Sequence, residues 1–282
     1  MQFLALGYGY TSQLLGKRLL AQGLEVSGTS RSEPIVPHDK PRENLLQFRG
    51  LSDRTNIQTP LKNATHILVS IPPSLKSLAA LFEGGEFPYL KWLGILSSTG
   101  VYGDHQGAWV NETSHCTPTS ESGILRLADE KKWLTLFKKQ NLPVHIFRLS
   151  GIYGPGRNYF SALQNGTAQR IYKKGIVFSR IHVEDIVCAL EASIQNPTPG
   201  EIYNLGDDLP ASPWEVMDYA AQLLGITTPP LIAYEDAVMS PMLKSFYQDS
   251  KRISNQKIKD LLNFHLTFPT YREGLKNIFE IL

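Results

Sequence analysis

The sequence predicts an α/β protein, a doubly wound parallel sheet followed by a smaller C-terminal lobe. Three observations predict it. The chain opens on a short apolar run that breaks at Gly7-Tyr8-Gly9 and resumes as an apolar-periodic segment through Leu14, Leu15, Leu19 and Leu20. Further strand-length apolar runs recur at 65–71, 92–96 and 144–149, each ending in turn or polar residues. At 282 residues the chain is long enough to bury the core such a sheet needs.

Composition narrows the function classes. A hydrophobic fraction of 42% and a charged fraction of 19% are ordinary for a globular protein. The net charge of +2, with no run of Lys or Arg, argues against a nucleic-acid groove. Cys116 and Cys188 lack metal-ligand spacing and read as reduced thiols, so no metal site is expected. The first strand begins at Met1, which leaves no room for a signal peptide, and no apolar stretch is long enough to span a bilayer. The expectation is a cytoplasmic protein without a membrane partner.

Taken in order, the first unit is strand, glycine turn, helix, the context in which a G-x-G pattern binds a dinucleotide. Gly7 permits a sharp turn and Gly9 lets the backbone approach a pyrophosphate. The free amides and positive end of the helix, which begins at Tyr10 and Thr11, would hold that diphosphate. This is the Rossmann arrangement, with Ser12 in place of the usual third glycine. An ordinary strand–helix turn is the competing reading.

The second strand, over 24–31, exits where such a fold meets the adenosine ribose. A carboxylate there would accept hydrogen bonds from the ribose hydroxyls. Ser30, Arg31 and Ser32 instead offer a guanidinium flanked by hydroxyls, a cradle for a 2′-phosphate, so NADP is favoured over NAD. Residues 33–44, with Pro34, Pro37 and Pro41, read as a loop, and 44–48 as a third strand. Thr65–Ile71 is a buried parallel strand stopped by Pro72-Pro73, with His66 as a strand-end residue. The turn at Ile71 and Pro72 would lie beside the diphosphate and nicotinamide ribose. A helix over 75–82 follows.

The strand at 92–96 empties into Ser97-Ser98-Thr99-Gly100-Val101-Tyr102-Gly103. Hydroxyls at a sheet's carboxyl edge suit a ligand site, or they satisfy loop backbone groups. A helix over 125–140 leads to the strand 144–149, which opens into Ser150-Gly151-Ile152-Tyr153-Gly154-Pro155-Gly156-Arg157-Asn158. Glu184-Asp185 fits a helix start, where acids complement the dipole. Pro213–Leu224 reads as an amphipathic helix, and 226–248 as a segment folding over a substrate cleft.

Together the GYG at 7–9, SSTGVYGD at 97–104, RLSGIYGPGRN at 148–158, RIHVEDIVCAL at 180–190 and IYNLGDD at 202–208 resemble one family. It is the extended short-chain dehydrogenase/reductase family, the NAD(P)-dependent epimerase/dehydratase group. SKRISNQKIKDLL and FPTYREGL near the C-terminus are similar to tail motifs of an atypical branch. The resemblance implies a dinucleotide-binding domain over 1–155, with strands added from parts of 175–206, and a mostly substrate-binding lobe over 156–282. It also implies that Gly151 and Ile152 border the nicotinamide, and that Thr99, Tyr102, Arg157, Asn158 and Arg180 face a small-molecule substrate. A nucleoside-diphosphate sugar fits that set. Relatives often pair as homodimers through two helices, here 75–82 and 122–140.

The resemblance also implies a catalytic Ser/Thr, Tyr and Lys, the last two lying four apart on one helix face. The Lys ammonium and the nicotinamide ribose lower the phenol pKa. Ser98 matches the Ser. Ser122 stands at the Tyr position and Arg126 at the Lys position. A serine hydroxyl is a far poorer acid than an activated phenol, and a guanidinium keeps the charge without relaying a proton. Loss of an acid–base group costs on the order of 10²- to 10⁴-fold in rate. Tyr102, Tyr153 and His182 are alternative acid–base groups, but structural roles suit them better: packing for Tyr102, shaping the Gly-Pro loop for Tyr153 and a structural hydrogen bond for His182. Two functions follow: an NAD(P)-dependent oxidoreductase or epimerase/dehydratase-like enzyme with an altered catalytic set, or an NADP(H)-binding sensor without hydride transfer.

Overall fold

Strands buried on both faces must be apolar on both faces. The runs at 3–6, 66–69, 92–96 and 144–149 meet this condition and lie in one seven-stranded sheet in the computed structural model, which describes residues 1–31, 43–51, 54–74 and 77–282. Ser32 and nearly all of the predicted 33–44 loop lie outside the described residues. In chain order the elements begin with β1 (Gln2–Leu6), α1 (Tyr10–Ala21), β2 (Glu25–Ser30), β3 (Glu43–Gln47), α2 (Gln58–Asn63), β4 (His66–Val69) and β5 (Trp92–Ser98). They continue with β6 (Trp109–Val110), α3 (Glu121–Gln140), β7 (Val144–Leu149), β8 (Gly151–Tyr153), α4 (Phe160–Gln164), β9 (Arg170–Tyr172), β10 (Arg180–His182) and α5 (Val183–Gln195). The last are β11 (Ile202–Leu205), α6 (Pro213–Leu224), β12 (Leu231–Ala233), α7 (Pro241–Phe246), β13 (Arg252–Ile253), α8 (Gln256–Leu262) and α9 (Tyr271–Glu280).

The sheet is parallel, with strand order β11-β7-β5-β4-β1-β2-β3, a Rossmann-type α/β fold. After β3 the chain returns to the other side of β1. That reversal makes a topological switch point at the carboxyl end of β1, the place where ligands bind in open α/β sheets.

The chain divides into two compact units. The first comprises Met1–Ser98, Ile124–Arg148 and Val187–Tyr203. Its core packs Leu4, Leu6, Ile67, Val69, Leu93 and Ile95 of the sheet with Trp133 and Leu136 of α3. The second comprises Thr99–Gly123, Leu149–Ile186 and Asn204–Leu282. It has its own core, in which Phe160 and Leu163 meet Val216 and Met217 of α6 and Tyr271 and Leu275 of α9. Both α6 and α9 open on capping boxes, Ser212 with Glu215 and Thr270 with Glu273. Three two-stranded parallel pairs, β8–β10, β9–β12 and β6–β13, complete this unit.

The helix expected over 75–82 is instead a 3-10 turn over Leu78–Leu81, and residues 75 and 76 lie outside the described residues. Ser77 starts the turn by accepting the Ala79 N–H at 3.1 Å. No described helix is long and apolar enough to cross a membrane.

Candidate functional site

In the first unit the site is built on the glycine turn between β1 and α1. Gly7 has φ +97°, and an added Cβ would lie 2.8 Å from Ile71 Cγ1 and Ser70 Oγ and 3.1 Å from Ile71 N, so only glycine fits. The turn is tied to β2. Gly7 N–H donates to Thr29 Oγ1 at 2.8 Å, and Tyr8 N–H donates to the Thr29 carbonyl at 2.8 Å. Gly9 is different: an added Cβ there would meet nothing within 4 Å. Gly9 is also the N-cap of α1, with no side-chain cap and no acidic residue in the first turn. The open flank of Gly9 therefore adjoins first-turn amides and the positive end of the helix dipole, which together suit an anion. Tyr10 and Thr11 occupy that first turn, Tyr10 half-buried and Thr11 buried.

Ser12, at the usual third-glycine position, is buried. Its hydroxyl donates to Ser70 Oγ at 3.0 Å, and Ser70 Oγ donates to the Gly7 carbonyl at 2.5 Å. Close packing of α1 on the sheet is met another way. The Tyr8 ring fills a slot where side chains on Gly16 of α1 or Gly28 of β2 would collide with it, and its hydroxyl donates to Glu43 Oε1 at 2.9 Å. Burial, then the Glu43 carboxylate, raise the Tyr8 pKa well above the ordinary phenol value. Ile71 is half-buried against Gly7 and Pro72 is exposed just beyond it. Ser30 is half-buried at the end of β2, and Arg31 is exposed.

At the end of β5, Ser97 is buried and donates to Glu130 Oε1 at 2.5 Å, while Ser98 is half-buried. Glu130 is also gripped by Arg148, whose Nη2 donates at 2.8 Å and whose Nε donates at 3.1 Å. Arg126 Nη1 donates to the Leu96 carbonyl. Burial lowers the Arg126 pKa, and Asp129 and Glu130 oppose that shift. Asp129 in turn accepts from Ser77 and from Trp133 Nε1. The position expected to carry a lysine thus holds a cation engaged with backbone and set among carboxylates.

In the second unit Thr99 Oγ1 donates to the Leu149 carbonyl at 3.3 Å. Tyr102, expected at the substrate, is buried and donates to Asn204 Oδ1 at 2.8 Å. Ser122 is exposed on the first turn of α3, its hydroxyl 3.2 Å from that of Ser120. Gly151 is exposed and Ile152 half-buried on β8. Arg157 is exposed, and Asn158 closes its own turn, donating to the Gly154 carbonyl and accepting from Phe160 N–H. Arg180 is buried, with Nη1 donating to the Phe178 and Ala211 carbonyls at 3.0 and 2.9 Å.

Close to Arg180 lies a carboxyl that its sequence context did not single out. Asp207 is buried, its N–H donates to the Arg180 carbonyl, and Oδ1 accepts from Leu209 N–H at 3.3 Å. Oδ2 has no partner among the described residues. Burial pushes its pKa up to about 8 against the pull of Arg180. His182 is buried between Tyr153 and Phe268, with ring centroids at 5.1 and 4.2 Å, and burial takes its pKa down to about 4. Tyr153 is buried too, its hydroxyl donating to the Thr270 carbonyl. Asp185, in the first turn of α5, accepts from Thr267 and Phe268 N–H, and no cluster of metal-ligating side chains occurs among the described residues.

No protein-family model matches the chain. Protein YeeZ of Escherichia coli is 34% identical, covering 93% of this chain and 94% of that one. The chain belongs to the family of YeeZ. A solved structure of a functionally unknown conserved protein from Silicibacter pomeroyi is 41% identical, with a TM-score of 0.90 over 99% of this chain and 98% of that one. Weaker sequence relatives of this YeeZ-family chain, and structural ones, are epimerase and dehydratase enzymes. Among them, dTDP-glucose 4,6-dehydratase of Bacillus anthracis in complex with NAD is 18% identical, with a TM-score of 0.81 over 99% of this chain and 96% of that one.

Proposed function

We propose that the protein binds a nicotinamide dinucleotide, preferring NADP, and acts as an oxidoreductase or epimerase/dehydratase-like enzyme on a small anionic substrate such as a nucleoside-diphosphate sugar. The observation that carries this reading is the turn at Gly7–Gly9. Its first glycine is forced by Ile71 and Ser70, while its second opens beside an uncapped helix N-terminus with no acid in its first turn. A diphosphate fits there: the amides of Tyr10 and Thr11 would hold it, and Ile71 and Pro72 would flank the nicotinamide side. When bound, such a cofactor supplies hydride chemistry.

The chain's own residues would do the rest. Ser98 orients a substrate carbonyl by donating its hydroxyl proton. Ser122 occupies the family's phenol position and Arg126 its lysine position. Arg126 supplies fixed positive charge, because a guanidinium does not deprotonate in a protein. The unit that begins at Thr99 would bind the substrate, with Thr99, Tyr102, Arg157, Asn158 and Arg180 as its contacts, and Gly151 and Ile152 would border the nicotinamide. Titrating the protein with NADPH and NADH, then following NADPH consumption over a panel of sugar nucleotides and aldehydes, tests the proposal. Binding of neither nucleotide at millimolar concentration rejects it. Turnover unaffected by Ser98→Ala rejects the catalytic assignment alone.

One observation favours a second reading, an NADP(H)-binding sensor or regulatory protein without hydride transfer. Arg126 is engaged with the Leu96 carbonyl, and Ser122 is an exposed hydroxyl beside another hydroxyl, a pair ill suited to proton transfer. Tight NADPH binding with no turnover over the whole panel selects this reading. In either case we place the dimer contact on the exposed side of α3, where Ile124 is exposed, and sedimentation tests it.

A further inference from the structure

Arg31 follows the last residue of β2, and Arg49 lies two residues beyond β3. The two strands are parallel neighbours, with Ser30 opposite Gln47 and Phe48 N–H donating to the Ser30 carbonyl at 2.9 Å. Adjacent strands run about 4.8 Å apart, so the two arginines leave the sheet from neighbouring strands, Arg49 one residue past Phe48, which continues the register opposite Arg31. Both are exposed. Arg49 is also anchored. In the amide orientation that satisfies its surroundings, Gln47 Oε1 accepts from Arg49 Nε at 3.2 Å and from Nη2 at 3.0 Å. That anchor restricts the rotamers a ligand would otherwise have to freeze. It leaves the outer N–H groups of the guanidinium for an anion. The strand after the glycine turn ends, in this fold, beside the adenosine ribose. Here that strand is bound to the turn through Thr29.

We infer that Arg49 is the second arm of a 2′-phosphate clamp whose first arm is Arg31, so that the exits of β2 and β3 together select NADP(H) over NAD(H). The inference rests on the dinucleotide reading above. A guanidinium fork matches phosphate oxygens and gains charge-assisted hydrogen bonds from a dianion. A ribose hydroxyl in the same place offers no charge to gain from.

Calorimetric titrations of the wild type, Arg31→Ala, Arg49→Ala and Arg49→Lys with NADPH, NADH, 2′,5′-ADP and 5′-AMP test it. Arg49→Ala is expected to weaken NADPH and 2′,5′-ADP at least about tenfold and to leave NADH and 5′-AMP within about twofold. Arg49→Lys should recover only part of the loss, since an ammonium keeps the charge without the fork. Equal weakening of NADPH and NADH, or unaltered NADPH binding, overturns the clamp. If the wild type binds NADH as tightly as NADPH, the dinucleotide reading stands and the clamp alone falls. If it binds neither, both fall. Both arginines are exposed, so thermal unfolding of the variants should match the wild type.

Discussion

The Ser12 hydroxyl donates to Ser70 Oγ at 3.0 Å, and through Ser70 it reaches the carbonyl of Gly7. A residue that departs from the three-glycine pattern therefore braces the first glycine from the neighbouring strand exit. Ser70→Ala removes the middle of this chain and leaves a buried hydroxyl short of a partner. The expected loss is about 1–2 kcal/mol of stability, read from urea unfolding. A variant as stable as the wild type would mean that the relay is ornamental.

Gly7 and Gly9 should respond in opposite ways to the same change. Gly7→Ala puts a Cβ at φ +97° against Ile71 and Ser70 and should cost at least about 2 kcal/mol. Gly9→Ala meets no atom and keeps an allowed φ of −96°, so stability should stay within about 1 kcal/mol. Its methyl would stand in the space assigned to the diphosphate, so nucleotide affinity should fall at least about tenfold. Unchanged affinity in a folded Gly9→Ala protein would move the binding site elsewhere.

Stability should depend on pH in two windows. Asp207 titrates at about 8 when folded and near 3.9 when unfolded, so the folded state holds the extra proton between those values. That contribution is complete at low pH and is lost as pH rises toward 8. Asp185, raised to about 6, acts in the same direction over a narrower range. His66, His145 and His182, each lowered to about 4, act oppositely: their contribution is present above about 6.5 and lost as pH falls. Asp207→Asn keeps an acceptor for Leu209 N–H and cannot ionise. Relative to the wild type it should gain stability as pH rises from 5 to 8, measured by urea midpoints. A constant difference across that range would refute the assignment.

Glu130 and Arg148 form a buried pair, their side chains 3% and 4% exposed. Glu130→Gln leaves the guanidinium buried without its counter-charge. The cost should be about 3–5 kcal/mol, enough to threaten folding. Arg148→Lys keeps the charge but not the two-point contact, so it should cost less. A loss below about 1 kcal/mol in Glu130→Gln would show that water reaches the pair.

The sheet was legible because a strand buried on both faces leaves an unbroken apolar run, as at 65–71 and 92–96. The glycine turn was legible from Gly7 and Gly9 for the same local reason. What escaped the sequence depends on distant partners. Nothing near Ser12 points to Ser70, and nothing near Tyr8 points to Gly16, Gly28 and Glu43. Tyr102 and Arg180 were singled out by the resemblance alone, and their bonds to Asn204, Phe178 and Ala211 depend on segments distant in the sequence or on the fold around them. The three-residue strands of the second unit are too short to show a period. α9 did carry a readable signal, Thr270 and Glu273 spaced as a capping box within FPTYREGL.

Because the Tyr8 ring is wedged where Gly16 and Gly28 lack side chains, the turn it belongs to cannot shift without opening a void in a close-packed layer. The surface beside Gly9 that we propose as the diphosphate site is thus formed without a ligand. Affinity there should owe little to folding-upon-binding, and arrival should be governed by diffusion and charge instead of rearrangement.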